Sequence, residues 1–275
     1  MLIDYHLHNH FSCDSKSKTA DIVKRAIELG IREICITNHV ETFPPKGGRG
    51  SFSYKEAFKR FTEIKKDLEE TQKELPELSI KFGIELEYVE EWMDEMSRFV
   101  NDMDFDFLIG SVHEVDKANI SSSDLCGKLY KQVDEKYAYS KYFDNLYKII
   151  EWGNFSVVGH FDICKKGGIN YYGPFQPEKY KDQIIPILKL MKEKGIGIEL
   201  NTSGLKYPCN EIFPHPDILK WCLEVGVEHY TIGSDGHTIE EVGQNLDKAL
   251  TLAKEVGIKT LSTYEKGVPT LHNIN

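Results

Sequence analysis

Seven short runs of apolar, largely β-branched residues recur along the chain, at 2–7, 33–38, 80–86, 105–112, 157–161, 197–201 and 230–234. Most of the segments between them carry the three-to-four-residue spacing of amphipathic helices, such as 19–29, closed by Gly30, and 53–74, where Ser53 and Glu56 have the spacing of a capping box. A run that is apolar on both faces reads as a buried strand, and strand and helix in alternation predict a parallel sheet. Seven such repeats without a segment suited to a sheet edge favour a closed α/β barrel over an open doubly wound sheet. A barrel of roughly 250 residues folds as one unit, so the 275 residues are expected to form a single domain, 1–275. A further strand is a candidate at 259–264. Two segments interrupt the rhythm: 41–50, with Pro44, Pro45, Gly47, Gly48 and Gly50, and the aromatic, helix-patterned 114–153. Both follow strands, so both are expected to cover a functional face.

The histidines and carboxylates are not scattered evenly over this pattern. His6 and His8 lie near the end of the first run, two residues apart, which on a strand turns both to one face. His39 follows the second run, Glu85 ends the third, His113 the fourth and His160 the fifth, while Asp235 and His237 follow the seventh. Asp14 falls in the first strand-to-helix loop. In a parallel barrel the C-terminal strand ends meet at one rim, so these nine side chains are expected in one site, and nine N/O donors are too many for a single ion. Any one of them alone reads as an ordinary buried histidine, ion pair or helix cap; the joint placement is what argues for metal. His10 is expected at the rim or in support of a ligand, and His215, His229 and His272 away from the site. Asp4, Glu87 and Asp162 are candidates to accept the second N–H of a ligating imidazole.

Read together, Asp4-Tyr-His-Leu-His8, Thr37-Asn-His39, Gly83-Ile-Glu85, Gly110-Ser-Val-His113, Gly159-His-Phe-Asp162 and Gly233-Ser-Asp-Gly-His237 resemble the PHP domain superfamily over nearly the whole chain. The segments 159–162 and 201–206 look more like its histidinol-phosphatases than its polymerase-associated members. The resemblance implies a distorted (β/α)7 TIM-like barrel with three divalent ions. By it, His6, His8, Glu85 and Asp235 hold one ion, Glu85 bridges to a second held with His113 and His160, and Asp14, His39 and His237 hold the third. Imidazole and carboxylate without thiolate suit zinc, manganese or iron. It also implies hydrolysis of a phosphate monoester, L-histidinol phosphate, in histidine biosynthesis, with a hydroxide between two ions as nucleophile and Asp235 or His237 protonating the leaving oxygen. Where such phosphatases present arginines to the phosphate, this chain has Lys165, Lys166 and Lys206, and Arg49 in the Gly-rich segment is a further candidate cation.

Other functions fit less well. A net charge of −10 opposes a nucleic-acid partner, since duplex binding draws on cationic contacts to phosphate. No run approaches the roughly 20 apolar residues of a membrane helix. The six cysteines show no C-x-x-C pair and no spacing that suggests staples, which suits a cytoplasmic location. Another phosphate ester remains an alternative substrate. A non-catalytic binding module would be expected to have lost ligands, and none is lost; the oligomeric state is left open.

Overall fold

The computed structural model describes residues 2–42, 50–122 and 124–274. Strands β1 (Ile3–Leu7), β2 (Glu33–Ile36) and β3 (Ser79–Glu87) alternate with helices α1 (Thr19–Glu28) and α2 (Tyr54–Glu74). Helix α3 (Met93–Asp102) leads into β4 (Phe107–Ser111), followed by a two-residue hairpin, β5 (Glu114–Val115) and β6 (Ala118–Asn119), a single turn α4 (Gly127–Tyr130) and α5 (Glu135–Trp152). Then come β7 (Val157–Val158), α6 (Cys164–Tyr172), α7 (Lys181–Lys194), β8 (Gly197–Asn201), α8 (Pro216–Val225), β9 (Tyr230–Gly233) and α9 (Leu246–Val256). The chain ends in β10 (Thr260–Glu265) and β11 (Val268–Asn273).

Seven strands form one parallel sheet in the order β1-β2-β3-β4-β7-β8-β9. It closes where the backbone N–H of His8 donates to the carbonyl of Gly236 at 2.9 Å, beside a parallel bridge between Leu7 and Gly236. The result is the nearly closed seven-stranded TIM-like barrel that the repeat pattern predicts, around one continuous apolar core.

Several boundaries differ from expectation, each for a local reason. The fifth barrel strand is only Val157–Val158, because His160 takes a positive φ of 24° and turns the chain out of the sheet. Ser53 stands at the N-terminus of α2 in extended conformation, yet its side chain makes no capping bond, so the expected box does not form. Much of 114–153 is no insertion: α5 is the ordinary helix of its repeat, started by the Asp134 side chain accepting from the Tyr137 N–H at 2.8 Å and ended by Gly153 at φ 77°. The run at 259–264 is not an eighth stave. It pairs antiparallel with β11, reversed at Lys266 and Gly267, both at positive φ, the geometry of a tight two-residue hairpin turn.

That hairpin closes the N-terminal end of the barrel. The ring of Tyr264 lies 4.9 Å from Phe107, which in turn lies 4.9 Å edge-on from Tyr5, and the Tyr264 N–H donates to the Tyr5 hydroxyl at 2.9 Å. Tyr5 can face inward beside His6 because the pairing of β1 with β2 slips: Asp4 opposes Ile34 and Leu7 opposes Ile36, so three steps on one strand match two on the other. This bulge puts an aromatic floor residue and a histidine on the same side of one short strand. With the floor sealed, the open end is the rim formed by the C-terminal strand ends. Among the described residues no helix is long and apolar enough to cross a membrane.

Candidate metal centre

At that rim the structure brings all nine expected side chains together. His6 Nε2 lies 3.4 Å from Glu85 Oε2 and 3.6 Å from Asp235 Oδ1, and His8 Nε2 lies 3.7 and 3.5 Å from the same two atoms. On the other side of Glu85, Oε1 stands 3.2 Å from His113 Nε2 and 2.9 Å from His160 Nε2, which are 3.3 Å from each other. Asp14 Oδ2 lies 3.3 Å from His39 Nε2 and 3.1 Å from His237 Nε2. Glu85 thus sits between two groups of donors, and Asp14 gathers a third.

These separations are those of ligands sharing an ion. Donors about 2.1 Å from one tetrahedral cation stand about 3.4 Å apart. Too long for ordinary hydrogen bonds in most cases, the distances cluster about that value. Nε2 of both His6 and His8 is buried without a hydrogen-bond partner, a cost that a bound cation removes. Four compact donor sets occur among the described residues: His8, Asp14, His39 and His237; His6, His8 and Asp235; His6, Glu85 and His160; and His39, Glu41 and His113. They overlap the expected groups without reproducing them: His8 also joins the set around Asp14, and Glu41 is a donor that the sequence did not single out. The residues fit divalent ions.

Two of these nine positions adopt left-handed backbone without being glycine, His160 at φ 24° and Asp235 at φ 54°. Such conformations cost on the order of 1–3 kcal/mol each and persist only where the surroundings hold them. Glu199 holds the first, accepting from the His160 N–H at 2.9 Å through Oε2, while its Oε1 meets His6 Nδ1 at 2.7 Å. Asp235 is held through Oδ2, which accepts from the Ser203 hydroxyl at 3.0 Å. Close packing permits this: a Cβ at Gly233 would run into Glu199 and His6.

Glu199 was missed in the sequence, although a charged residue two positions before Asn201 in an otherwise apolar run was the available signal. Of the three carboxylates expected to support imidazoles, only Glu87 does so, at 2.5 Å from His113 Nδ1. Asp4 instead accepts from the N–H and hydroxyl of Ser234 and the N–H of Gly243, tying β1 to the segments that follow β9. Asp162 accepts from the His215 N–H and pairs with Lys165. His215, His229 and His272 make their contacts away from the centre, with His215 capping α8, and His10 is exposed with its ring 4.3 Å from that of Phe11.

The centre opens into a cleft of about 470 Å³ lined also by Asn119, Ser121, Ser122, Leu125, Ile163, Lys166, Lys206, Tyr207 and Glu241. Lys206 reaches the cleft paired with Glu241 at 2.9 Å, and Lys166 lies over the Tyr207 ring at 3.9 Å. Lys165 does not reach it. It is buried on the opposite face of α6, with Nζ 2.9 Å from both Asp162 and Glu211 and 3.2 Å from the carbonyl of Ile212. Successive helical residues point about 100° apart, so only one of two adjacent lysines can face the cleft. Arg49 lies outside the described residues.

The charges here are mutually dependent. Burial alone would raise Glu85 and Asp235, but the surrounding imidazoles hold both carboxyls well below the usual range. Against burial, Glu87 and Glu85 push His113 up to about 10, and Glu199, Asp235 and Glu85 push His6 well above an ordinary histidine. Burial and the neighbouring His237 bring His8 down to about 3, leaving it a neutral donor. An ion entering this cluster displaces protons from His6 and His113, so ion affinity falls as pH falls. Chelator-treated protein is accordingly expected to unfold at lower temperature than protein with excess Zn²⁺ or Mn²⁺. If ions are present at about 100 times Kd, the difference for one site is roughly 2.7 kcal/mol. Calorimetry at pH 6 and pH 8 checks both statements; a melting temperature indifferent to chelator contradicts them.

The PHP domain model matches residues 4–203. A histidinol-phosphatase from Lactococcus lactis is 27% identical over 268 residues, covering 95% of this chain and 94% of its own. A probable histidinol-phosphatase from Clostridium acetobutylicum is 28% identical over 267 residues, covering 94% and 95%. The crystal structure of histidinol phosphate phosphatase from Lactococcus lactis, complexed with zinc, L-histidinol and phosphate, superposes with a TM-score of 0.81 at 26% identity over 98% of each chain.

Proposed function

The chain belongs to the PHP domain family, and from this membership we propose that it is a metal-dependent phosphomonoesterase that hydrolyses L-histidinol phosphate to L-histidinol and phosphate. The observation that carries the reading is the convergence of nine imidazole and carboxylate donors, at ion-sharing distances, on the floor of a cleft that also presents lysines. Similarity to histidinol-phosphatases along nearly the full length of both chains supports the substrate. The ligand groups in this reading are His6, His8, Glu85 and Asp235; Glu85, His113 and His160; and Asp14, His39 and His237. Zinc, manganese and iron suit these donors, and the Lactococcus lactis protein carries zinc in its crystal. A cytoplasmic site of action accords with six cysteines that form no disulfide.

When bound, the ions neutralise phosphoryl oxygens and acidify water for attack on phosphorus. The chain's own residues do the rest. Lys166 and Lys206 face the cleft as point charges for the phosphate; Glu241 holds Lys206 and accepts from the His237 N–H at 2.9 Å, coupling that lysine to the ligand loop. Tyr207 and the hydroxyls of Ser121 and Ser122 border the space left for the alcohol part of the ester. Of Asp235 and His237, both on the cleft wall, the first is held ionised by the surrounding imidazoles, which leaves His237 to supply the proton for the leaving oxygen.

Phosphate release over a panel of L-histidinol phosphate, sugar phosphates, mononucleotides and phosphotyrosine tests the substrate. A kcat/KM for histidinol phosphate that exceeds the others by orders of magnitude is the expected result; a flat profile, or a preference for another ester, refutes the substrate and leaves the metal chemistry standing. In the same assay Lys166→Met is expected to raise KM about tenfold, roughly 1.4 kcal/mol, with little change in kcat, as loss of a ground-state phosphate contact requires. An unchanged KM removes Lys166 from the phosphate site.

A further inference from the structure

Glu41 follows β2 by five residues and is completely buried, yet neither of its carboxylate oxygens accepts a hydrogen bond from the described residues. An uncompensated buried carboxylate costs several kcal/mol, so its presence calls for a cation or a donor that it serves. Its nearest basic atom is Nδ1 of His39, 3.5 Å from Oε1, at the edge of hydrogen-bond range. The same ring turns Nε2 the other way, toward Asp14.

The surroundings hold this pair in place. A backbone bridge joins His39 to Glu85, and the Val40 N–H donates to the Glu85 carbonyl at 3.1 Å, so the backbone between His39 and Glu41 is anchored to β3. Behind it, Arg60 of α2 donates to the carbonyls of His39, at 2.9 Å, and of Val40. Its Nε has no hydrogen-bond partner and its charge acts on Glu41. Glu87 and His113 face Glu41 from β3 and the end of β4, and they are occupied with each other.

One other carboxylate competes for the same proton: Glu85 Oε2 is 3.0 Å from His39 Nδ1. Glu85 is already committed. Its Oε1 accepts from the Ser111 hydroxyl at 2.7 Å and meets His113 and His160, while Oε2 faces His6 and His8. The Ser111 hydroxyl and an ion on each side would use three of the roughly four lone pairs of Glu85, whereas neither oxygen of Glu41 accepts a hydrogen bond from the described residues.

We propose that Glu41 is a positioning residue of the metal centre, accepting the Nδ1 proton of His39 and so fixing the tautomer that presents Nε2 to the ion held with Asp14 and His237. Arg60 compensates the charge from behind, giving a line of guanidinium, carboxylate, imidazole and ion. Carboxylates in this position raise the basicity of the ligating imidazole as well as orienting it. The inference rests on the three-ion reading given under Proposed function, which assigns Glu41 no part.

Zinc binding by the full chain, measured by chelator competition together with metal counting, tests it without reference to turnover. Expected in Glu41→Ala is a loss of about 10–100-fold in affinity for one ion, the other two being unchanged. Glu41→Gln, which keeps an acceptor oxygen of the same size, should fall between Ala and the parent, and should melt near the parent temperature at saturating zinc. If Glu41→Ala does not fold, Glu41→Gln carries the test. Three ions with unaltered affinities in the folded variants, or all three weakened alike, overturn the role of Glu41 and leave the phosphatase reading intact. A parent protein that binds no third ion overturns the ligand assignment and this inference with it.

Discussion

Glu85→Gln should abolish phosphate release, lowering kcat/KM by at least about a thousandfold, roughly 4 kcal/mol of transition-state stabilisation. Glu85 lies between two donor groups, with Oε1 toward His113 and His160 and Oε2 toward His6 and His8. An amide retains the shape and the bond from the Ser111 hydroxyl but carries no charge and offers one acceptor oxygen instead of two. The metal count should fall with the activity, because ions on both sides lose their shared anion. Turnover within tenfold of the parent, with the metal content unchanged, would remove Glu85 from the centre. His8→Ala is expected to go in the same direction and provides an independent check, since His8 takes no part in holding the barrel floor.

Lys165→Met is expected to lower stability by about 3–5 kcal/mol while leaving KM for the phosphate ester unchanged. The cation is almost wholly buried between Asp162 and Glu211 and also donates to the Ile212 carbonyl, so removing it strands a buried Asp162 carboxylate. Methionine fills most of the volume without a donor. For a chain of this length the loss corresponds to a fall in melting temperature of about 6–20 °C. Thermal unfolding and steady-state kinetics on the same sample separate the two roles of neighbouring lysines: Lys166→Met should move KM and Lys165→Met the melting temperature. A raised KM with normal stability in Lys165→Met would restore the phosphate role read for it from the sequence.

That pair marks the limit of sequence reading. Residues 165 and 166 have the same side chain, and only the phase of α6 decides which enters the cleft. Similarly, Glu199, Glu87 and Asp162 all look like acidic residues near a strand end. Glu199 became a partner of His6 because β1 and β8 meet inside the barrel, although the two residues are 193 positions apart. Asp162 turned instead to Lys165 and His215. The terminal hairpin followed the same logic: residues 260–265 have the composition of a stave, but the turn at Lys266 and Gly267 pairs them with their own continuation before the barrel can claim them.

What the sequence determined by itself was the alternation of strand and helix, the parallel barrel that follows from it, and the placing of His6, His8, His39, Glu85, His113, His160, Asp235 and His237 at or just beyond strand ends, with Asp14 in the first loop. These are local properties, written in hydrophobic period and residue type, and a closed barrel maps every strand end onto one rim. Tertiary structure alone decided the bulge that turns Tyr5 and His6 inward together, the left-handed backbone at His160 and Asp235, the support of His6 by Glu199, and the burial of Glu41 behind His39. Each of these depends on which distant groups share a low-dielectric interior, where an unmet charge costs more than any local preference supplies.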